Sequence, residues 1–466
     1  MRIKKIAILI LIVFLSKFSF STLYYETMFL KSTDFQFPVV RIEAEKDKSP
    51  VILIFGGIHG NEPGAYLTAE KLTDIKLDKG SIIVVPRVNF YSIMKNVRGF
   101  FGDMNRKFTK EEEKKKGDPD SRIVRILKKL MANADVFINL HDAWGFHRRY
   151  HKNFGQCIIV DGEKVFSKRM NKIINMEKIG KSIVFEVNKK IDNKAHLFAF
   201  WNQKTYLKHK EIRLKEMRYT ATYFAYKKYN IPAFGIETSK NIKSDELKVH
   251  YHLMILKELF KKFGVKMKNE ISSKIEKPEF GYLTLNIDNK IRILPNEETL
   301  YENPSTKFFI MDIMGNRKFG WAADIIGWGG NNDKYKNYFL KSPTKIIIKH
   351  DFKKIGEVNI LPSRTKPYIL VKINKTDKKI YAGEKIILRD GDKLQLIKAV
   401  YKNYNLDIDF KGYASKTKIN RGDDRGNIII YKELKKKYSL NKKGKLYKIE
   451  ARKNKIPLFF ILIKYE

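Results

Sequence analysis

Hydrophobic residues follow two different patterns along the 466-residue chain, and the pattern changes near residue 265. Before that point, short apolar runs typical of buried strands alternate with stretches of helical periodicity. The apolar runs are residues 51–55, 136–140 and 231–236, and the helical stretches are residues 67–72, 121–132, 211–229 and 246–263. This alternation predicts a parallel or mixed sheet covered by helices, which is an α/β domain.

The second pattern begins at about residue 270 and consists of short alternating runs separated by turn residues. Examples are residues 282–287, 308–313, 344–348, 368–373 and 427–431. Such a series predicts all-β modules. We therefore expect an α/β domain at residues 22–268, a small β domain at 269–350 and a C-terminal β domain at 351–466. An immunoglobulin-like sandwich is one option for the last domain, and one continuous β unit is another option for the two together.

The first residues have the pattern of a secretory signal peptide. Residues 1–5 are basic, residues 6–15 are apolar, and Ser19 and Ser21 supply small residues near a cleavage site. The apolar run is shorter than the roughly 20 residues that span a bilayer. We expect cleavage after Ser21 and a periplasmic mature protein, with an uncleaved N-terminal anchor as the alternative.

The chain is strongly basic, with 94 Lys and Arg against 51 Asp and Glu and a net charge of +43. Such a surface attracts polyanions, but no nucleic-acid-binding motif is present, so we expect no nucleic-acid partner. Frequent Lys, Ile, Asn, Phe and Tyr also fit an A- and T-rich gene. The remaining interpretation is contact with an anionic polymer such as peptidoglycan. The single cysteine, Cys157, excludes an intrachain disulfide.

Potential metal ligands follow two of the predicted strands. His59 and Glu62 come just after the run 51–55, and His141 ends the run 136–140. Two histidines and one glutamate form a ligand set typical of catalytic zinc, with the fourth position left to water. Glu237 ends a third run, and open α/β sheets collect their sites at the carboxyl ends of strands. The sequence therefore predicts a zinc site with a nearby carboxylate.

Further polar residues lie between the two histidines, and the order of all these motifs is informative. Pro86 and Asn89 are followed by Arg98, and then by the segment 103–108, which reads Asp-Met-Asn-Arg-Lys-Phe. The order H-x-x-E, P-x-x-N, Arg, D-x-N-R-x-F, strand-end His and strand-end Glu resembles the zinc carboxypeptidase superfamily. The resemblance covers residues 51–239, about half of the chain.

The resemblance implies a role for each matching residue. His59, Glu62 and His141 would bind zinc, and Asp103 would support the first histidine from behind. Glu237 would be the general base, Arg98 would polarise the scissile carbonyl, and Asn105 with Arg106 would bind the terminal carboxylate of the substrate. These roles agree with the chemistry of the residues, because Arg binds carboxylates through two parallel hydrogen bonds and Glu can carry a proton to the leaving amine.

The order of the domains indicates which group within this superfamily the chain resembles. A signal peptide, a short carboxypeptidase domain and two β domains are similar to the peptidoglycan DL-carboxypeptidases that determine cell shape in helical Gram-negative bacteria. That resemblance implies that the protein trims muramyl tripeptide to dipeptide by releasing meso-diaminopimelate. Its partners would be peptidoglycan muropeptides, with envelope proteins as further candidates for the β domains.

Two alternatives remain open at this stage. One is a zinc N-acyl amino acid deacylase resembling succinylglutamate desuccinylase or aspartoacylase, although a signal peptide does not fit cytosolic metabolites. The other is a catalytically silent wall-binding scaffold, although the set of site residues is complete.

The sequence also suggests secondary candidates around the substrate. These are the segment 142–150, Lys240 as a contact for a second carboxylate, Tyr206 or Tyr219 as a mobile tyrosine, and the pair His250 and His252 as metal ligands.

Overall fold

The computed structural model describes residues 22–111, 117–207, 215–363, 366–402, 404–414, 422–440 and 442–466. The predicted signal peptide, residues 1–21, lies outside this range. None of the helices within these segments is long and apolar enough to cross a membrane.

The N-terminal unit is built on a mixed eight-stranded sheet. Its strands and small hairpins are β1 (Thr22–Phe29), β2 (Phe37–Ala44), β3 (Val51–Phe55), β4 (Leu77–Lys79), β5 (Ser81–Val85), β6 (Val136–Ala143), β7 (Cys157–Val160), β8 (Lys164–Ser167), β9 (Lys172–Asn175), β10 (Ala199–Asn202), β11 (Ala233–Ser239) and β12 (Lys266–Met267). The large sheet has the order β1-β2-β5-β3-β6-β11-β7-β10, in which β5, β3, β6 and β11 are parallel. The prediction of an α/β core with a mixed sheet is therefore confirmed.

Six α-helices within the described residues accompany this sheet. They are α1 (Pro63–Leu72), α2 (Phe90–Met94), α3 (Pro119–Met131), α4 (Met176–Asn188), α5 (Ala221–Tyr229) and α6 (Asp245–Phe263). The central strand β3 shows why both faces are covered: Ile52 and Ile54 point into one apolar cluster, and Leu53 and Phe55 point into another. A strand that is apolar on both faces is stable only between two layers.

The following β unit consists of two four-stranded sheets around a shared core. Its strands are β13 (Phe280–Ile287), β14 (Lys290–Pro295), β15 (Thr299–Glu302), β16 (Lys307–Gly315), β17 (Trp321–Ile325), β18 (Asn337–Phe339), β19 (Thr344–His350) and β20 (Lys353–Pro362). The predicted boundary at residue 350 is too early, because β20 pairs with β19 along most of its length and completes the second sheet. The first β unit therefore extends to Pro362, the last residue of β20.

The C-terminal unit contains β21 (Tyr368–Ile373), β22 (Thr376–Tyr381), β23 (Lys385–Leu388), β24 (Leu394–Tyr401), β25 (Tyr404–Phe410), β26 (Ile428–Ile429), β27 (Leu446–Lys453) and β28 (Ile456–Tyr465). Its strands form one continuous hydrogen-bonded path among the described residues, in which β25 pairs with β24 at residues 404–406 and with β27 at residues 407–410. The sandwich option for this unit stays a prediction. Residues from distant strands, such as Ile369 and Ile461, share one core, which shows that the sheet curls around it. The predicted strand 427–431 is only the two residues of β26.

A buried ion cluster joins the N-terminal unit to the first β unit. The Arg87 guanidinium, which is 1 % exposed, donates through Nε to Asp351 at 2.7 Å and through Nη2 to Glu70 at 3.0 Å. Arg317 donates to the same Glu70 carboxylate at 2.6 Å. Glu70 lies on α1, the helix that follows the predicted metal ligand Glu62. The ion cluster therefore connects this helix to the first β unit.

Candidate active site

The three predicted metal ligands come from a sharp loop and a neighbouring strand. His59 lies in the loop after β3, Glu62 immediately precedes the first residue of α1, and His141 lies on β6. The loop needs its glycines: Gly57 has φ of 73°, and a Cβ on Gly60 would lie 2.2 Å from the Ser92 backbone. These glycines allow His59 and Glu62 to turn back over the end of the sheet.

The ligand atoms of His59, Glu62 and His141 converge at a buried point. One candidate donor atom from each residue lies within 4.8 Å of the other two. His59 Nδ1 is 3.0 Å from Glu62 Oε1, and His141 Nδ1 is 2.8 Å from Glu62 Oε2. Burial opposes a charge on Glu62, but the two imidazoles hold the pKa of this carboxyl well below its usual value. An anionic carboxylate between two imidazole nitrogens is a donor set that fits a divalent metal ion.

Asp103 supports this site from behind. Its Oδ1 is 2.9 Å from His59 Nε2, which leaves Nδ1 of the same ring facing Glu62. Ligating histidines usually donate their other N–H to such a carboxylate, which fixes the tautomer and the ring orientation. Although burial acts in the opposite direction, His59, Arg98 and Arg106 together lower the pKa of Asp103.

Arg98 lies at the mouth of the site. Its guanidinium donates to Asp103 Oδ2 at 3.0 and 3.2 Å and to Glu62 Oε1 at 3.3 Å, and nearly half of the side chain is exposed. Burial favours loss of the charge, but the carboxylates of Asp103 and Glu62 raise the pKa of Arg98. A fixed cation beside the metal position suits stabilisation of a developing oxyanion.

Glu237 lies beside the ligands on the neighbouring strand β11, where it pairs in register with His141. Both strands continue past these residues, to Ser239 and Ala143, so His141 and Glu237 are within strands and not at their last positions as predicted. Burial and the nearby charge of Glu62 raise the pKa of Glu237 well above its usual value. Glu237 also lines the cavity beside the three predicted metal ligands, which is the position that a general base requires.

Asn105 and Arg106 lie on a short 3-10 turn, Met104–Arg106, that begins at Asp103. The side-chain oxygen Oδ1 of Asn105 accepts a hydrogen bond from the backbone N–H of Ala221 at 3.0 Å, and Asn105 Nδ2 lies 3.4 Å from His141 Nε2. Arg106 Nη1 donates to the Asn105 backbone carbonyl at 3.1 Å. The turn is therefore fixed to α5, and it presents amide and guanidinium N–H groups to the cavity.

All the predicted site residues except Asp103 line one cavity of about 270 Å³. Two further polar residues that line this cavity, Asn139 and Gln203, were not predicted from the sequence. Both side-chain amide atoms of Asn139 and the side-chain carbonyl oxygen of Gln203 are buried without a hydrogen-bond partner among the described residues. Asn139 lies two residues before His141 on β6. Because side chains alternate between the two faces of a strand, the two residues lie on the same side, and this alternation could have identified Asn139 from the sequence.

Asp142, the first residue of the predicted segment 142–150, is fully buried behind Glu62. It accepts from the backbone N–H of Gly64 at 2.7 Å and from the Thr238 hydroxyl at 2.6 Å. His252 Nε2 lies 3.4 Å from the same carboxylate, whereas His250 lines a separate surface groove. The pair His250 and His252 is therefore not a metal site, because the two side chains lie on different faces of α6.

The other secondary candidates lie mostly outside the cavity. Trp144 is 67 % exposed, and only Ala143 and Phe154 line the cavity near the segment 142–150. Tyr206 and Tyr219 are exposed and do not line it. Lys240 donates to the Asn61 side chain at 3.1 Å and lies 3.5 Å from Glu62 Oε1, so it lies next to a predicted metal ligand.

The fold and the site fit a metal-dependent hydrolase. Comparisons with known proteins are more specific. A family model described as "Carboxypeptidase controlling helical cell shape catalytic" matches residues 11–277, which is more than half of the chain. The chain belongs to this family of peptide-bond hydrolases, and the predicted resemblance to cell-shape carboxypeptidases is confirmed.

Solved structures with the same fold include the cell shape determinant protein Csd4 from Helicobacter pylori. Its apo form is 21 % identical, covers 92 % of this chain and 99 % of its own, and has a TM-score of 0.57. Its tripeptide-bound form covers 96 % and 100 % with a TM-score of 0.56 at 21 % identity. Its mDAP-bound form, described as a D,L-carboxypeptidase, covers 90 % and 99 % with the same TM-score and identity. A search of curated proteins found no match.

Proposed function

We propose that this protein is an exported, zinc-dependent DL-carboxypeptidase that removes meso-diaminopimelate from muramyl tripeptide and leaves the dipeptide. The observation that carries the proposal is the convergence of His59, Glu62 and His141 with Glu237 and Arg98 in one cavity. Family membership supports the cell-shape role. The tripeptide-bound and mDAP-bound forms of the H. pylori protein support the substrate class.

Zinc is the metal that this donor set favours, although other divalent ions accept similar ligands. His59, Glu62 and His141 would hold it. When bound, zinc supplies Lewis acidity and lowers the pKa of water to about 7.

The residues of the chain would perform the proton transfer and the orientation. The Glu237 carboxylate accepts a proton from the attacking water and delivers it to the nitrogen of the leaving amino acid. Arg98 donates to the oxygen on which negative charge develops. Arg106 and the amide of Asn105 bind the terminal carboxylate, which places the last peptide bond next to Glu237.

The periplasm is the proposed location. The basic, apolar and small-residue regions of positions 1–21 support export, and a peptidoglycan substrate lies outside the cytoplasmic membrane. The net charge of +43 suits contact with a polymer whose stem peptides end in carboxylates.

The test is digestion of purified muropeptides by residues 22–466, with the products identified by mass spectrometry. We expect chelator-sensitive loss of one diaminopimelate from the tripeptide species and no change in dipeptide species. Release of an acyl group from N-acyl amino acids, with muropeptides unchanged, would contradict the proposal.

A further inference from the structure

The catalytic cavity contains buried polar groups that the proposed mechanism does not use. Asn139 is 1 % exposed, and its side-chain Nδ2 and Oδ1 both lack a hydrogen-bond partner in the part of the chain that the structure describes. The side-chain oxygen of Gln203 is buried in the same condition. Both residues line the cavity. Folded proteins rarely leave such groups unpaired, and inside a ligand cavity the partners that remain are substrate atoms and water.

Asn139 belongs to a row of cavity-lining residues that crosses three strands. Gly235 on β11 pairs in register with Asn139 on one side and with Ile159 of β7 on the other. This row lies two residues before the row of His141 and Glu237, which is about 6.6 Å along the strands. A Cβ on Gly235 would lie 3.6 Å from the Ile159 Cβ, an ordinary contact distance, so the missing side chain leaves its volume to the cavity. The cavity therefore extends past Glu237 to the Asn139 side chain.

The polar lining that the mechanism leaves unused carries no charge. Among the described residues, the charged and imidazole side chains of the cavity all have proposed roles; they are His59, Glu62, Arg98, Arg106, His141 and Glu237. With the terminal carboxylate on Arg106 and the scissile bond at Glu237, the side chain of the released amino acid is the part of the substrate that remains to be placed. It would meet the neutral amides of Asn139 and Gln203.

We propose that Asn139, together with Gln203, selects a released amino acid whose side chain ends in both an ammonium and a carboxylate group. The Asn139 Nδ2 group donates to the carboxylate, and the side-chain oxygens of Asn139 and Gln203 accept from the ammonium. The two charges of such an end group sum to zero, so neutral amides suffice for it, whereas a single charge would be buried without a counter-charge. The inference rests on the proposed function, because it assumes that the released amino acid occupies this cavity.

The test uses four tripeptides that differ only at the end of the last side chain. The first ends in meso-diaminopimelate, lysine lacks its distal carboxylate, 2-aminopimelate lacks its distal ammonium, and norleucine lacks both. A site whose buried polar groups bind a substrate group strongly rejects an analogue without that group. For metal-loaded wild type we expect kcat/KM to be highest for diaminopimelate, at least about tenfold lower for the two singly charged analogues, and at least about 100-fold lower for norleucine.

Variants of Asn139 assign this preference to its amide. Asn139→Leu keeps the branched shape without hydrogen bonds, so kcat/KM for the diaminopimelate substrate should fall about 100-fold, while the norleucine substrate stays within about threefold of wild type. Asn139→Asp supplies one negative charge and should raise the preference for lysine over diaminopimelate at least about tenfold, a change that loss of structure alone does not produce. The matched control is Asn133→Leu, which replaces an exposed asparagine after α3 and should leave all four values unchanged.

The outcomes separate this inference from the proposed function. Equal losses on all four substrates in Asn139→Leu would assign Asn139 to holding β6, and no loss on any would remove it from substrate binding; both results overturn the inference. If wild type cuts none of the four, the proposed function fails on its own. The inference is then tested by calorimetric titration of free meso-diaminopimelate into metal-loaded wild type and Asn139→Leu. Tighter binding to wild type supports it, and equal binding or none overturns it.

Discussion

Replacing Asp351 by Asn tests whether the buried ion cluster holds the first β unit against the catalytic unit. Asp351 takes two hydrogen bonds from Arg87, through Nε at 2.7 Å and Nη2 at 3.1 Å, and both side chains are at least 93 % buried. The cluster also contains Glu70 and Arg317, so its two positive charges balance two negative charges. Asparagine keeps the size of the side chain and tolerates the positive φ of 53° at this position, but it leaves one positive charge unbalanced.

The expected cost follows from this burial. Removing one partner of a buried ion pair typically costs about 3 to 5 kcal/mol. Asparagine can still accept one hydrogen bond, so we expect a value near the lower end, about 3 kcal/mol. Since about 1.4 kcal/mol is a factor of ten, opening of the interface should become about 100-fold more frequent.

Hydrogen exchange followed by mass spectrometry measures this opening locally. Amides of β17, whose first residue Trp321 is bonded to the Arg317 carbonyl, should exchange about 100-fold faster in the Asp351→Asn variant. The control Glu186→Gln removes a surface pair with Lys189 and should change no peptide measurably. A change of less than about threefold at β17 would refute the reasoning, because it would mean that the cluster does not restrain the interface.

Three further predictions concern acid stability, the metal and the substrate. The pKa of Glu70 is lowered from 4.5 to about 2, because Arg87 and Arg317 outweigh its burial. The contribution of the Glu70 carboxylate to stability is therefore fully present above about pH 4.5 and is lost as the pH falls through about 2. Over this range the urea midpoint of wild type should fall more steeply than that of Glu70→Gln. Parallel curves for the two proteins would exclude this role. His141→Ala should lose the metal, as measured by inductively coupled plasma mass spectrometry on purified protein, and full metal content would exclude it as a ligand. Arg106→Lys should raise KM for the tripeptide about 10- to 100-fold with a smaller effect on kcat, because a lysine cannot form two parallel hydrogen bonds to a carboxylate. An unchanged KM would mean that the terminal carboxylate of the substrate binds elsewhere.

The strands were predictable because they depend on local sequence, and the three predicted metal ligands do converge in the structure, but their roles stay a prediction. β3 is apolar at all five positions, so its buried place between two helical layers follows from the chain itself. His59 and Glu62 are three residues apart on one glycine-rich turn, and the order of the later motifs supplied the remaining residues. The bounds of β6 and β11 were not predictable, since their extension through His141 and Glu237 depends on pairing between two distant strands.

The contacts that sequence reasoning missed span long separations. Arg87 and Asp351 are 264 positions apart, and nothing in the local sequence of either residue indicates the other. Asp142 and Thr238 meet only because their strands are neighbours. The β19–β20 pairing and the curl of the C-terminal sheet depend on which strands are partners and not on where strands begin, so local sequence does not indicate them.

The central claim is that Glu237 is the base of a metal-dependent carboxypeptidase acting on muramyl tripeptide. The most direct measurement incubates metal-loaded wild type and metal-loaded Glu237→Gln with this substrate and follows diaminopimelate release by mass spectrometry. Glutamine preserves the shape of the side chain and cannot accept the proton, so we expect release by wild type and a loss of at least about 100-fold in the variant at equal metal content. Release at an undiminished rate by the variant, or no release by metal-loaded wild type, would contradict the claim.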